Sequence, residues 1–259
     1  LLEGSAMTGN GDGARGRVRV EACAKRVRCL VGGSLVLDST RALYVWEVPY
    51  YPAYYVPEED VLAELVPTGE TKHSPARGDA GVCDVKTATG SASAAALRYA
   101  DSPIAELRGT VRVAWDDRLE WLEEDEPVYV HPRDPRTRVD ILGSSRHVRI
   151  EVDGVTVAES RSPRILFETG LPPRFYLPMT DVRLDLLEPT ATVTHCPYKG
   201  AATYWSLVVD GQRHEDFVWC YRAPFPESQK IAGLMCFYNE KVDLYLDGKL
   251  QDQPRTLFG

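Results

Sequence analysis

Polar and apolar residues alternate along much of the chain. In His147-Val148-Arg149-Ile150-Glu151-Val152 every second side chain falls on one face, and Val155-Thr156-Val157-Ala158-Glu159 repeats the pattern after Asp153-Gly154. A period of two on both sides of an Asp-Gly pair predicts a β-hairpin, because the two turn positions need a left-handed backbone that Asp and Gly tolerate. Tyr204–Val209, Asp210-Gly211 and Gln212–Trp219 follow the same logic, and Lys241–Leu246 before Asp247-Gly248 supplies another strand. Helical windows are short, at Met179–Leu187 and at Pro226–Ile231, where the proline suits a first helical turn. Many short strands with so little helix predict a mainly β protein of sandwich or bent-sheet type.

This pattern occurs twice. At an offset of 121 residues Val27-Arg28 falls on Val148-Arg149, Gly33 on Gly154, Glu47 on Glu168, Tyr55 on Tyr176 and Asp60-Val61 on Asp181-Val182, without a gap. One inserted residue later, His73-Ser74-Pro75-Ala76-Arg77-Gly78 falls on His195-Cys196-Pro197-Tyr198-Lys199-Gly200, and Tyr99 on Tyr221. So long a period matches a whole small domain rather than a solenoid unit. Two homologous domains are expected, at 17–126 and 146–259. The connector expected between them, 127–145, follows the acidic run Glu123–Glu126 and contains His131-Pro132-Arg133-Asp134-Pro135-Arg136, whose prolines remove ladder hydrogen bonds. Residues 1–16 are expected to be a tag and flexible tail, with Met7 the natural start.

The composition is that of a globular protein: 259 residues, 44% hydrophobic and 26% charged. A net charge of −8 argues against nucleic acid as a partner, since phosphate neutralisation needs a Lys/Arg surplus. No apolar run reaches the roughly 18–20 residues that span a bilayer, so no membrane partner is expected. Six cysteines without a Cys-x-x-Cys pair predict reduced thiols and a cytoplasmic location. Five scattered histidines do not make a zinc spacing, and no phosphate loop, dinucleotide fingerprint or Gly-x-Ser-x-Gly elbow occurs; neither metal nor cofactor is expected.

Candidate chemistry gathers in the second copy. In Thr194-His195-Cys196-Pro197-Tyr198-Lys199-Gly200, Cys196 lies near positive charge that would favour a thiolate; alternatively it is a small buried apolar residue. His195 is not expected to reach that thiol, because neighbours along a strand face opposite ways. Glu168, Arg174 and Tyr176 bring an acid, a base and a phenol into nine residues, with an internal Glu168–Arg174 pair the simplest arrangement. Trp219 and Tyr221 share a strand face, and Tyr204 can lie on the next strand. Such a set is either core or the wall of a small-molecule site.

Taken together, Glu168, Arg174-Phe175-Tyr176-x-Pro178-x-x-Asp181-Val182, His195–Gly200, Tyr204-Trp205, Trp219-x-Tyr221-x-x-Pro224 and Ile231-x-Gly233-x-x-x-Phe237-Tyr238 resemble the domain-of-unknown-function 427 family in its tandem form. The resemblance implies two tandem β-tent-like domains, each of two antiparallel sheets with one or two short helices and without zinc cysteines. Its nucleotidyltransferase label finds no metal-binding carboxylate pair or phosphate cradle here. The first copy departs from the family pattern, with Ala53 for the arginine, Ser74 for the cysteine, Arg77 for the lysine, Val82 for the tyrosine and Leu97 for the tryptophan. The expected function is therefore binding of an unknown small molecule, anionic or carbonyl-bearing, in the second domain. Arg174 and Lys199 would be donors, Glu168 would orient Arg174, and Tyr176, Tyr204, Trp219 and Tyr221 would be walls, while the first domain would be mainly structural. An enzyme using Cys196 as nucleophile or redox group, and a structural or interaction module without a ligand, are the alternatives.

Overall fold

The computed structural model describes residues 18–256, so the expected tag and tail fall outside the described residues. Eleven strands form the first half: β1 (Arg19–Ala22), β2 (Val27–Val31), β3 (Ser34–Ser39), β4 (Leu43–Val48), β5 (Tyr51–Pro57), β6 (Glu64–Ser74), β7 (Gly78–Lys86), β8 (Ser91–Tyr99), β9 (Thr110–Val113), β10 (Leu119–Glu123) and β11 (Glu126–Val128). The second half contains β12 (Val139–Gly143), β13 (Val148–Val152), β14 (Val155–Ser160), β15 (Arg164–Glu168), β16 (Arg174–Leu177), β17 (Leu187–Cys196), β18 (Gly200–Val209), β19 (Gln212–Cys220), β20 (Met235–Phe237), β21 (Asp243–Leu246) and β22 (Lys249–Leu250).

Each half consists of a seven-stranded and a four-stranded antiparallel sheet. The long sheets run β1-β4-β5-β9-β8-β7-β6 and β12-β15-β16-β20-β19-β18-β17; the short ones run β11-β10-β2-β3 and β22-β21-β13-β14. Adding eleven to each strand number converts the first half into the second, which is the two-domain β-tent-like architecture. The Asp-Gly pairs make the expected turns: Asp153 and Gly154 have φ of 51° and 77°, and Val152 pairs directly with Val155.

Irregularities recur as faithfully as strands. Register breaks at Cys29/Leu30, Pro67/Thr71 and Cys83/Val85 in the first half reappear at Ile150/Glu151, Pro189/Val193 and Trp205/Leu207 in the second. In β8 and β19 the bulge is held by a residue with positive φ, Ala94 (50°) and Asp216 (52°) respectively. The Ala94 amide donates to Asp84, and the Asp216 amide to Ser206, so the same bulge is fixed by different side chains.

The long sheet is apolar on both faces. In β16, where all four residues are buried, Phe175 and Leu177 join Val148, Ile150, Val218 and Phe237 between the two sheets. Tyr176 points the other way, with Tyr204, Trp219, Tyr221 and Cys236, into a second cluster on the far face. The first half has the same two layers, the far one built on Ala53, Tyr55, Val82, Leu97 and Tyr99.

Two local expectations change. Met179–Leu187 is not one helix but two 3-10 turns, Met179–Asp181 and Leu184–Leu186, because Val182 between them bridges to Ala158 and must remain extended. The stretch 127–145 is not connector throughout: past its prolines, Val139-Asp140-Ile141 resumes the alternation, and β12 pairs along β15 from Val139–Glu168 to Gly143–Arg164. The Pro226–Ile231 window forms a 3-10 helix with Pro226 in its first turn.

Candidate functional site

Strand order brings the chemistry-bearing residues of the second half onto one face. Tyr176 on β16 lies opposite Cys236 on β20, Cys236 opposite Trp219 on β19, and Trp219 opposite Tyr204 on β18. Tyr204, Trp219 and Tyr221 are 6–7% exposed, and Tyr176 is 1% exposed. Trp219 occupies the middle of the set. Its ring centroid is 4.5 Å from that of Tyr238, its plane is nearly perpendicular to Tyr176 at 6.3 Å, and its indole N–H donates to the Tyr176 hydroxyl at 3.3 Å. The Tyr204 hydroxyl lies 2.8 Å from Thr194 Oγ1 and 3.4 Å from the Tyr238 hydroxyl.

Two ion pairs flank these rings. Arg174 is gripped in fork fashion by Glu240, Nη1 and Nη2 each 2.6 Å from a carboxylate oxygen, with side chains only 9% and 2% exposed. Its guanidinium lies 5.6 Å from the Trp219 ring centroid. Lys199 Nζ is 2.5 Å from Glu168, in a pair 10% and 9% exposed.

The expected Glu168–Arg174 pair is therefore corrected. In the β15–β16 ladder Arg174 faces Leu166, and Glu168 lies beyond the paired residues, where the loop carrying Lys199 reaches it. Glu240 takes the role assigned to Glu168. It stands in the turn after β20, 66 residues from Arg174, so no local spacing joined the two in the sequence.

Burial works against the Lys199 ammonium, but the facing Cys196 and Glu168 outweigh it and raise its pKa above the ordinary value. Burial likewise lifts the Tyr176 and Tyr221 phenols well above theirs, so both are neutral donors at physiological pH. Cys196 is the one cysteine of the six that is not buried. His195 is exposed and its ring lies 6.0 Å from Tyr129.

The proline-rich segment packs over the same loop. The Asp134 amide donates to the Tyr198 hydroxyl at 2.7 Å, the His131 ring approaches Tyr198 edge-on, and Tyr129 stacks on Phe225. Among the described residues no group of three or more His, Cys, Asp or Glu could hold a metal, and no helix is long and apolar enough to cross a membrane.

Fold and site together define a tandem two-domain β protein that carries, in its second half, an aromatic sheet face bracketed by two buried ion pairs. The chain belongs to the family described as Domain of unknown function (DUF427), whose profile matches it twice, over residues 19–124 and 140–248. No curated protein matches it.

Proposed function

We propose that this is a small-molecule-binding protein whose second half holds an anionic or carbonyl-bearing ligand against the aromatic face. One observation carries the reading. The first half builds the same seven-stranded sheet with Ala53, Val82 and Leu97, all buried, where the second has Arg174, Tyr204 and Trp219. The fold therefore does not require these groups, and desolvated charges are a costly way to fill a face that alanine, valine and leucine fill elsewhere.

The donors have capacity to spare. A guanidinium has five N–H groups and an ammonium three. Arg174 donates two bonds to Glu240, and Lys199 one to Glu168 and one to Cys196, so each can donate to a further oxygen. The rings supply apolar contact, and the phenols of Tyr176 and Tyr221 supply neutral polar edges. Tyr176, Tyr204, Trp219 and Tyr221 are all buried in this conformation, so a ligand must displace side chains that now cover them. Six unpaired thiols support a reducing compartment, and we place the protein in the cytoplasm.

The test is a fluorescence titration of the whole chain with benzoate and, separately, benzamide, which join a ring to a carboxylate or a carbonyl. A saturable change is expected, lost in Trp219→Phe and weakened about ten- to a hundred-fold in Lys199→Met. Absence of saturation by both probes, or an undiminished affinity in Lys199→Met, overturns the reading.

A second reading rests on Cys196. A half-buried thiol against the Lys199 ammonium has the surroundings of a nucleophile, and its test is the alkylation described in the Discussion.

A further inference from the structure

The far face of the first half, expected to be mainly structural, carries polar groups of its own. Glu47, Tyr55, Arg77 and Tyr99 stand where the second half has Glu168, Tyr176, Lys199 and Tyr221. The acid, the two phenols and the cation are thus retained. A second cation is retained as well, but from another strand: Ala53 replaces Arg174, and Arg112 stands in the place of Cys236. The β5–β9 ladder, with Val56 opposite Val111, carries Arg112 toward Tyr55 as the β16–β20 ladder carries Cys236 toward Tyr176.

The relocation changes the charge balance. In the second half two cations meet two carboxylates. In the first, Arg77 Nη1 and Arg112 Nε both lie 2.9 Å from the same oxygen of Glu47, so two positive charges share one negative charge. Arg77 also donates to the hydroxyls of Tyr55 at 2.7 Å and Tyr99 at 3.1 Å, and the Tyr55 hydroxyl donates to Glu47. Arg112 Nε is buried with no aligned hydrogen bond despite its closeness to Glu47, which leaves a desolvated donor unsatisfied.

These groups are also more accessible than their counterparts. The side chains of Arg77, Glu47 and Arg112 are 17%, 20% and 28% exposed, against 10% or less for both pairs of the second half. Alanine, valine and leucine in place of arginine, tyrosine and tryptophan remove the bulk that closes the other face.

We propose that Arg77 and Arg112, with the hydroxyl of Tyr99, form an anion-binding site in the first half, selective for a small oxyanion such as a phosphate or carboxylate group. An incoming oxyanion meets a surplus positive charge, planar guanidinium donors and the Tyr99 hydroxyl at one place, the combination that favours charge-assisted bonds. The two halves then divide the work: the second takes a ligand with an apolar body, and the first takes a small charged one.

The probe is inorganic phosphate, titrated calorimetrically into the whole chain with ionic strength held constant by sodium chloride. Saturation at one phosphate per chain is expected, with affinity reduced about tenfold or more in Arg112→Gln and largely restored in Arg112→Lys. Circular dichroism confirms that each variant is folded, and Arg77→Gln provides a second variant if Arg112→Gln is not. The paired replacement Arg174→Met/Glu240→Met in the other half should leave phosphate binding unchanged, which separates this site from the one proposed above. Acetate as a competitor distinguishes a carboxylate site from one that requires a tetrahedral oxyanion. Absence of saturation, or wild-type affinity in both Arg77→Gln and Arg112→Gln, overturns the proposal.

Discussion

Glu240 holds both terminal nitrogens of Arg174 at 2.6 Å, in a position where only 2% of the acid's side chain meets solvent. Removing one member of such a pair strands the other without water or partner. Glu240→Gln is therefore expected to destabilise the protein by about 3–5 kcal/mol, and Arg174→Met/Glu240→Met by much less, because the double replacement leaves no orphaned charge. Urea unfolding of the three proteins measures this, and equal losses in the single and double variants would contradict it.

The same pair sets a pH dependence. Burial alone would favour protonated Glu240, but the Arg174 fork and the Thr256 hydroxyl outweigh it and hold its pKa below the ordinary value of 4.5. A carboxylate with a depressed folded-state pKa contributes stability that is fully present above the unfolded value and lost as pH falls through the folded one. The stability gap between wild type and Glu240→Gln should be constant down to about pH 5 and close below about pH 4. Lys199 has the opposite sign: its pKa is raised, so its contribution is present below the ordinary 10.5 and lost as pH rises through the folded value. Unfolding of wild type against Lys199→Met between neutral pH and about pH 11 shows it.

Thiol reactivity should be uneven. Burial raises the pKa of Cys29, Cys83, Cys220 and Cys236, and Cys23 is buried as well, whereas Cys196 is half-buried on β17 beside Lys199. Under limiting iodoacetamide Cys196 is expected to be alkylated first, and more slowly in Lys199→Met, as peptide mass mapping reports. Protection of Cys196 while other thiols react would remove the nucleophile reading and leave the binding reading intact.

Turn glycines supply a conformational test. Gly154 has φ of 77° and open space where a side chain would begin, so Gly154→Ala pays only for its backbone conformation, about 1 kcal/mol. Its counterpart across the duplication is Gly33, also in open space; Gly32 beside it would place a Cβ 2.6 Å from the Thr89 carbonyl oxygen. Gly32→Ala should therefore destabilise distinctly more than Gly154→Ala in urea unfolding.

Local chemistry made most of the fold legible in the sequence. Asp153-Gly154, Asp210-Gly211 and Asp247-Gly248 announce left-handed turns, alternation announces strands, and the offset of 121 residues announces two copies. Strand parity also placed Trp219 and Tyr221 on one face with Tyr204 beside them. The ion pairing was not legible. Whether Glu168 meets Arg174 or Lys199 depends on where the β15–β16 ladder stops, and Glu240 reaches Arg174 across 66 residues. Arg112 was hidden for a related reason: a position-by-position comparison shows Ala53 as a loss, and only strand pairing shows a guanidinium returning from β9.

The bulges on β17 and β19 face each other across β18, and Asp216 ties them by accepting from Thr190 and Thr192 at 2.7 Å each. A bulge on both sides of one strand puts a crease in the sheet, since each adds local twist. Beyond that crease each long strand serves two faces at once. Val218 and Cys220 join Leu207 and Val209 in the apolar core, while Tyr204, Trp219 and Tyr221, alternating with them, present aromatic and polar groups on the other face. Because the crease and the alternation recur in the first half, the chemistry of the outer face can be rewritten without disturbing the packing of the inner one. The duplicated sheet is in that sense a frame with an interchangeable panel, and this chain displays two versions of the panel in one molecule.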